Sequence, residues 1–169
     1  MRSLNEYITL NESGEYNLRP NSALELKKLI RQRVEEQGPN CDLNDIDVSR
    51  VTDMSDLFFS SKFNGDISKW DVSRVRNMNG MFYNSQFNGD ISKWDVHNVE
   101  SMFNMFNESK FNGDISKWDV SSVETMSGMF ANSEFNGDIS KWNVRRVKDM
   151  SMMFDESPLE GKEPSWYKG

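Results

Sequence analysis

Apolar residues in this chain return at a fixed distance. Starting at Phe63, they stand at Phe63, Ile67, Trp70, Val72, Val75, Met78, Met81 and Phe82, and the same residue types recur 24, 48 and 72 positions later. Each unit opens on the same letters, FNGDISKWDV at 63, 87 and 111 and FNGDISKWNV at 135. Each also closes on a serine: Ser85, Ser109, Ser133 and Ser157. A constant period of this length predicts a solenoid, a chain wound into stacked coils. One such unit alone would leave two flat faces in water, and its burial would not offset the entropy of ordering it. Stacked units bury those faces against each other, and their backbones can pair at the strand spacing of about 4.8 Å.

Inside a unit, residues 67–72 predict a short strand, with a β-branched and an aromatic residue and alternation at Trp70 and Val72. Val75, Met78, Met81 and Phe82 are spaced as a short helix or 3₁₀ turn requires, with Gly80 and Gly128 keeping it short. The pair Asn64 and Gly65 marks a turn. The same pair also opens β-hairpins. A meander would need alternation before it, and Tyr83, Asn84, Ser85 and Gln86 offer none. The solenoid is the better reading.

The ends of the array depart from the pattern, as caps do. Residues 39–62 form a weaker unit, with Ile46, Asp47 and Val48 in the place of Trp-Asp-Val and with Val51, Met54, Leu57 and Phe58 in register. Trp166 follows Trp142 by one further period, so all five tryptophans share one register and residues 159–169 read as a truncated capping unit. Residues 20–38 predict an amphipathic capping helix. Ser22 and Glu25 have capping-box spacing, Leu26, Leu29, Ile30 and Val34 form one stripe, and Gly38 and Pro39 stop it. Its expected task is to cover the first coil. Residues 1–19 read as a tail, or as a short helix starting between Ser3 and Glu6 and carrying Leu4, Tyr7 and Ile8. The array itself spans 39–158.

Composition narrows the function. The 169 residues carry a formal net charge of −7 and suit one domain. An acidic chain repels phosphate backbones and anionic lipid, so neither nucleic acid nor membrane is an expected partner. The N-terminal stretch lacks the apolar core of a signal peptide and a lipobox cysteine, and no run approaches the roughly 20 apolar residues of a membrane span. The expected location is cytoplasmic, with surface display requiring another route. The single Cys41 has no internal disulfide partner and occupies the place of the turn glycine.

The pattern FNGDISKWDVS-x-V-x-x-M-x-x-MF closely resembles the repeat of the BspA-type leucine-rich repeat proteins, in the variant first associated with Mycoplasma lipoproteins. The resemblance covers about residues 40–157. It implies an α/β, right-handed leucine-rich-repeat-like solenoid, in which each coil is one repeat made of a short strand plus a short helix or 3₁₀ turn. Members of that family are commonly surface proteins used in adhesion and protein binding, and small phage-encoded versions exist. The missing export signal speaks against the adhesin role for this chain.

Little in the sequence suggests catalysis. Asp66, Asp90, Asp114 and Asp138 would form one carboxylate ladder, and Asp71, Asp95, Asp119 and Asn143 a second. Calcium could hold such ladders together. The repeat lacks the GGxGxD pattern and the extra oxygens that calcium takes, so Lys69, Lys93, Lys117, Lys141 and turn N–H groups are the expected partners. Asn64, Asn88, Asn112 and Asn136 predict an asparagine ladder. His97 has no neighbouring cysteine, second histidine or serine triad, and no P-loop, HExxH or GxSxG is present. No enzyme activity, metal or cofactor is expected.

Near-identical units show where the fold does not dictate the residue. The varying columns supply the candidate partner-binding residues Arg74, Arg76, Tyr83, His97, Glu100, Phe103, Glu124, Arg145, Arg146 and Lys148. Tyr83 and Phe103 are aromatic where their counterparts are polar, as interface anchors are. The sequence therefore points to a non-catalytic protein-binding module acting through a variable exposed face. A phage-encoded or host-directed inhibitor and a surface adhesin or carbohydrate binder are the alternatives.

Overall fold

The computed structural model describes residues 8–10 and 16–169. Strands β1 (Ile8–Leu10) and β2 (Tyr16–Leu18) pair antiparallel, with Ile8 opposite Leu18. Ile8 is thus on a strand, not on the short helix considered for residues 1–19; the helix start at Ser3 and Glu6 lies outside the described residues. Leu18 in turn bridges Ile46 in parallel, which joins this hairpin to the first repeat.

Helix α1 (Ala23–Gln37) follows. Ser22 caps it by accepting the Glu25 N–H, and the Glu25 carboxylate reaches back to the Asn21 N–H at 2.8 Å. Gly38, at φ +89°, closes the helix with its N–H on the Val34 carbonyl. Leu26, Leu29 and Ile30 are buried in the same core as Leu43 and Ile46, and Arg33 pairs with Asp45. The helix thereby covers apolar side chains of the first coil.

From residue 39 onward the chain stacks on itself once per sequence period. Parallel bridges join Asp53 to Asn77, Asn77 to Ser101, Ser101 to Thr125 and Thr125 to Asp149, so each bridge links equivalent positions of adjacent units. The repeated apolar side chains form one continuous core. Phe58, Phe82, Phe106, Phe130 and Phe154 stack in a column with ring centroids 5.4–6.0 Å apart. Phe63, Phe87, Phe111 and Phe135 form a second column at 6.1–6.3 Å.

The two arcs of each coil are built from turns. Residues 67–72 are not the expected strand. The Trp70 N–H bonds to the Ile67 carbonyl at 3.2 Å and the Val75 N–H to the Val72 carbonyl at 2.9 Å, so the segment is two successive turns. The cause is the pair of aspartates. Asp66 and Asp71 accept the N–H of Ser68 and Ser73, two residues on, and such Asx turns curl the chain where a strand would run straight. Trp70 and Val72 are nevertheless both buried, as their alternation predicts.

The second arc, residues 75–85, forms no regular helix. Its bonds within the coil join residues three apart, the spacing of a 3₁₀ turn, which is the other expectation. Met81, Tyr83 and Ser85 donate to the carbonyls of Met78, Gly80 and Phe82 within the coil. The N–H groups between them, on Met78, Gly80, Phe82 and Asn84, instead donate to Ser101, Phe103, Met105 and Asn107 of the next coil at 2.8–2.9 Å. A helix cannot do this, because its N–H groups all point along one axis. The alternation comes from left-handed residues four apart: Asp56 and Ser60, Gly80 and Asn84, Asn104 and Glu108, Gly128 and Asn132, all at φ +48° to +62°. Glycine and asparagine tolerate that region best. At Gly128 a β-carbon would also lie 2.1 Å from the Asn104 side-chain oxygen. Glycine there leaves room for the asparagine of the coil before.

Candidate functional site

The repeated decapeptide holds its coils together through side chains. Each asparagine of the predicted ladder accepts the backbone N–H of the next: Asn88 onto Asn64 and Asn112 onto Asn88 at 2.8 Å, Asn136 onto Asn112 at 2.9 Å. Each indole N–H donates to a carbonyl of the coil before: Trp70 to Leu43, Trp94 to Ile67, Trp118 to Ile91, Trp142 to Ile115 and Trp166 to Ile139, at 2.9–3.1 Å. Trp166 stacks on Trp142 with centroids 6.3 Å apart, so the last tryptophan keeps the common register.

The aspartates of this arc serve local structure. Asp66, Asp90, Asp114 and Asp138 accept the N–H of Ser68, Ser92, Ser116 and Ser140 at 2.8–2.9 Å. Those serines hold the four carboxyls below the ordinary aspartate range, by backbone and hydroxyl bonds together. Among the described residues no group of three or more His, Cys, Asp or Glu is placed to hold a metal ion. Cys41 is buried, and burial pushes its thiol pKa up, which suppresses the reactive thiolate.

The sequence-selected candidates fall into two sets. The first lies on the corner just before the bridging position. Here most charges answer one another along the stack. Arg76 pairs with Glu100, Lys148 with Glu124 at 2.7 Å, and Arg146 with Glu124 at 3.6 Å. The Lys148 ammonium lowers the Glu124 pKa. The His97 ring nitrogen Nδ1 lies 2.6 Å from Asp95, and that bond is the largest cause of the lowered Asp95 pKa. Arg74 and Arg145 are exposed and make no side-chain ion pair among the described residues. Variation in the column of Arg76, Glu100, Glu124 and Lys148 thus has a partly internal explanation: Arg76 with Glu100 and Glu124 with Lys148 are complementary charges on adjacent coils, whereas Glu100 and Glu124, also adjacent, are alike.

The second set, Tyr83 and Phe103, lies on the turn arc. Phe103 is 44% exposed. Tyr83 donates its hydroxyl to Glu108 at 2.8 Å, a bond that raises the Tyr83 pKa. Its ring stacks on Phe59, with centroids 5.1 Å apart and planes within 14°. Phe59 is 53% exposed and is not among the sequence candidates. The sequence does carry its signal, because Phe59 stands one period before Tyr83 in the same varying column. The weak first unit shows its core positions more clearly than its outward ones. The structure therefore brings Phe59 and Tyr83 together as a flat aromatic ledge. Asn79, which accepts the Phe103 N–H at 3.0 Å, ties the Phe103 coil to the Tyr83 coil.

Bonds spaced by one constant interval define a tandem-repeat protein. The family described as Mycoplasma protein of unknown function, DUF285, matches residues 26–110 and 107–166, and the chain belongs to it. No curated protein and no solved structure matches the chain. Among the described residues no helix is long and apolar enough to cross a membrane.

Proposed function

We propose that this chain is a non-catalytic protein-binding module. In this reading the stack is a right-handed solenoid related to the BspA-type leucine-rich repeats, and its turn arc is the face that meets the partner. The observation that carries the reading is the exposed aromatic ledge of Phe59 on Tyr83, with Phe103 exposed on the following coil. Large aromatic side chains left in water on an ordered backbone are the usual anchors of protein interfaces. The turn arc is linked between coils chiefly by backbone groups, and the exposed rings of Phe59 and Phe103 make no hydrogen bond, so these two side chains can take up a partner. The charged corner contributes Arg74 and Arg145, two cations that no carboxylate neutralises among the described residues.

The test is affinity capture from the native cells, with the parent chain and a Phe59→Ser, Phe103→Ser variant as parallel baits. The expected result is a discrete protein retained by the parent and lost with the variant, while both baits melt at the same temperature. Equal capture by the two baits would remove the ledge from the interface and with it this reading.

A further inference from the structure

Among the described residues, the bonds between successive coils of the turn arc leave a row of donors over on the last of them. In the coils containing Met78, Met102 and Met126, the N–H of that methionine and the next alternate ones donate to the following coil. Met126, Gly128, Phe130 and Asn132, for example, bond to Asp149, Ser151, Met153 and Asp155 at 2.8–2.9 Å. The equivalent groups of the last coil, on Met150, Met152 and Phe154, have no acceptor among the described residues. The fourth donor of the row does have one. The Glu156 N–H bonds to the carboxylate of Glu160 at 2.9 Å, so the molecule already fills one place in this row with an acid.

Beside the row lies a groove of about 690 Å³, lined by Trp142, Val144, Val147, Met150 and Trp166. Its charged lining is Lys141, Arg145 and Lys168, with no acidic residue among the described ones, on a chain whose net charge is −7. None of the three cations forms a salt bridge among the described residues. Met152 is 63% exposed and held at φ +54°, a conformation that glycine or asparagine would take at less cost.

From this geometry we propose that the last coil is a docking edge for an acidic segment of a partner protein, bound extended. The segment's carbonyls would take the N–H groups of Met150 and Met152, its carboxylates would face Arg145 and Lys168, and its apolar side chains would enter the groove beside Val147 and Trp166. Strand addition of this kind uses main-chain bonds for affinity and alternate side chains for choice. The edge is separate from the aromatic ledge, shares only Arg145 with the charged corner, and goes beyond the reading above.

The probe is a fluorescein-labelled peptide of roughly eight residues alternating Glu and Val, long enough for one strand. It is titrated into the full chain and followed by anisotropy, with hydrogen exchange read at Met150 and Met152. Saturable binding is expected, weakened roughly tenfold or more by Arg145→Glu with Lys168→Glu, together with slowed exchange at both amides. Phe59→Ser with Phe103→Ser should leave this binding unchanged, which keeps the failure of one surface distinct from failure of the other. Equal binding of a Lys–Val peptide, or of oligoglutamate without slowed exchange, would overturn the proposal. So would association of copies of the chain through this end that the Glu–Val peptide fails to disrupt.

Discussion

The two arcs of each coil are joined to their neighbours by different chemistry, and the difference accounts for which letters repeat. Beyond the first junction, the arc of the decapeptide is linked across coils by Asn side-chain oxygens and Trp indole N–H groups. There the side chain makes the bond, and a replacement without the same donor or acceptor removes it. The turn arc is linked by backbone N–H and C=O groups, which every residue but proline carries. Its inward side chains, Met78, Met81 and Phe82, remain fixed by packing. Its outward ones add links that differ from coil to coil, such as Tyr83 to Glu108 and the Phe103 N–H to Asn79, and the one demand that recurs is tolerance of a left-handed backbone at two positions. A repeated sequence and a variable surface thus coexist in one unit, because one arc is held by side chains and the other by the main chain.

The comparison can be broken most severely at tryptophan. Trp118 is buried, and its indole N–H is bonded to the Ile91 carbonyl at 3.1 Å. Trp118→Ala opens a cavity in the middle of the stack and leaves that carbonyl without its donor. The expected loss is about 3–5 kcal/mol, the range for large aromatics truncated in cores. Urea denaturation followed by circular dichroism measures it. A loss below about 1 kcal/mol would mean that the indole column does not fasten one coil to the next.

A finer contrast pairs one residue from each arc. Asn112 is exposed, yet it accepts the Asn136 N–H at 2.9 Å. Asn112→Ala removes that acceptor, and the expected cost is about 0.5–1.5 kcal/mol, the worth of a single hydrogen bond. Phe103 on the turn arc is also exposed, and its ring can make no hydrogen bond of this kind. Phe103→Ser should stay within about 0.5 kcal/mol of the parent. Chemical denaturation of the two variants side by side decides the matter. If Phe103→Ser costs as much as Asn112→Ala, the outward residues of the turn arc are structural after all.

Much of this was legible in the letters, for a physical reason. A column of identical residues has one environment, so Asn64 and its copies announced their ladder and the five tryptophans their register. Local backbone was less legible. Val75, Met78, Met81 and Phe82 have helical spacing, but burial alone sets that spacing, and a run of turns satisfies it too. The informative residues were the polar ones between them. Gly80 with Asn84, and Gly128 with Asn132, repeat a left-handed signature every four positions that no helix accommodates. The strand expected at residues 67–72 failed similarly. Asp66 and Asp71 are turn-formers by their own side chains, and they outweighed the β-branched and aromatic residues between them. Among the candidates for binding, the varying columns mixed two kinds of variation. Arg76 and Glu100 vary together to make a pair, and Phe59 stacks on Tyr83 yet keeps its ring exposed, whereas Phe103 is exposed with no ring or charge answering it across the stack among the described residues. Sequence position alone does not separate these cases, because the separation lies in which side chains meet.

That distinction sets the smallest effect worth measuring. Arg76 and Glu100 are both exposed, in an ion pair between adjacent coils on the corner where the two arcs join. If the pair exists for the stack, Arg76→Ser and Glu100→Ser should each cost a little, and the double variant should cost less than their sum. The expected coupling is about 0.2–1 kcal/mol, typical of exposed pairs. It should shrink at high salt, where exposed charges are screened. A double-mutant cycle in urea at low and high ionic strength gives the number. Measurable, salt-sensitive coupling would assign this column to structure and leave Arg74 and Arg145 as the corner's contribution to binding. Coupling indistinguishable from zero would return Arg76 and Glu100 to the recognition surface, and the corner would then belong with the turn arc in the comparison of what is held and what is free.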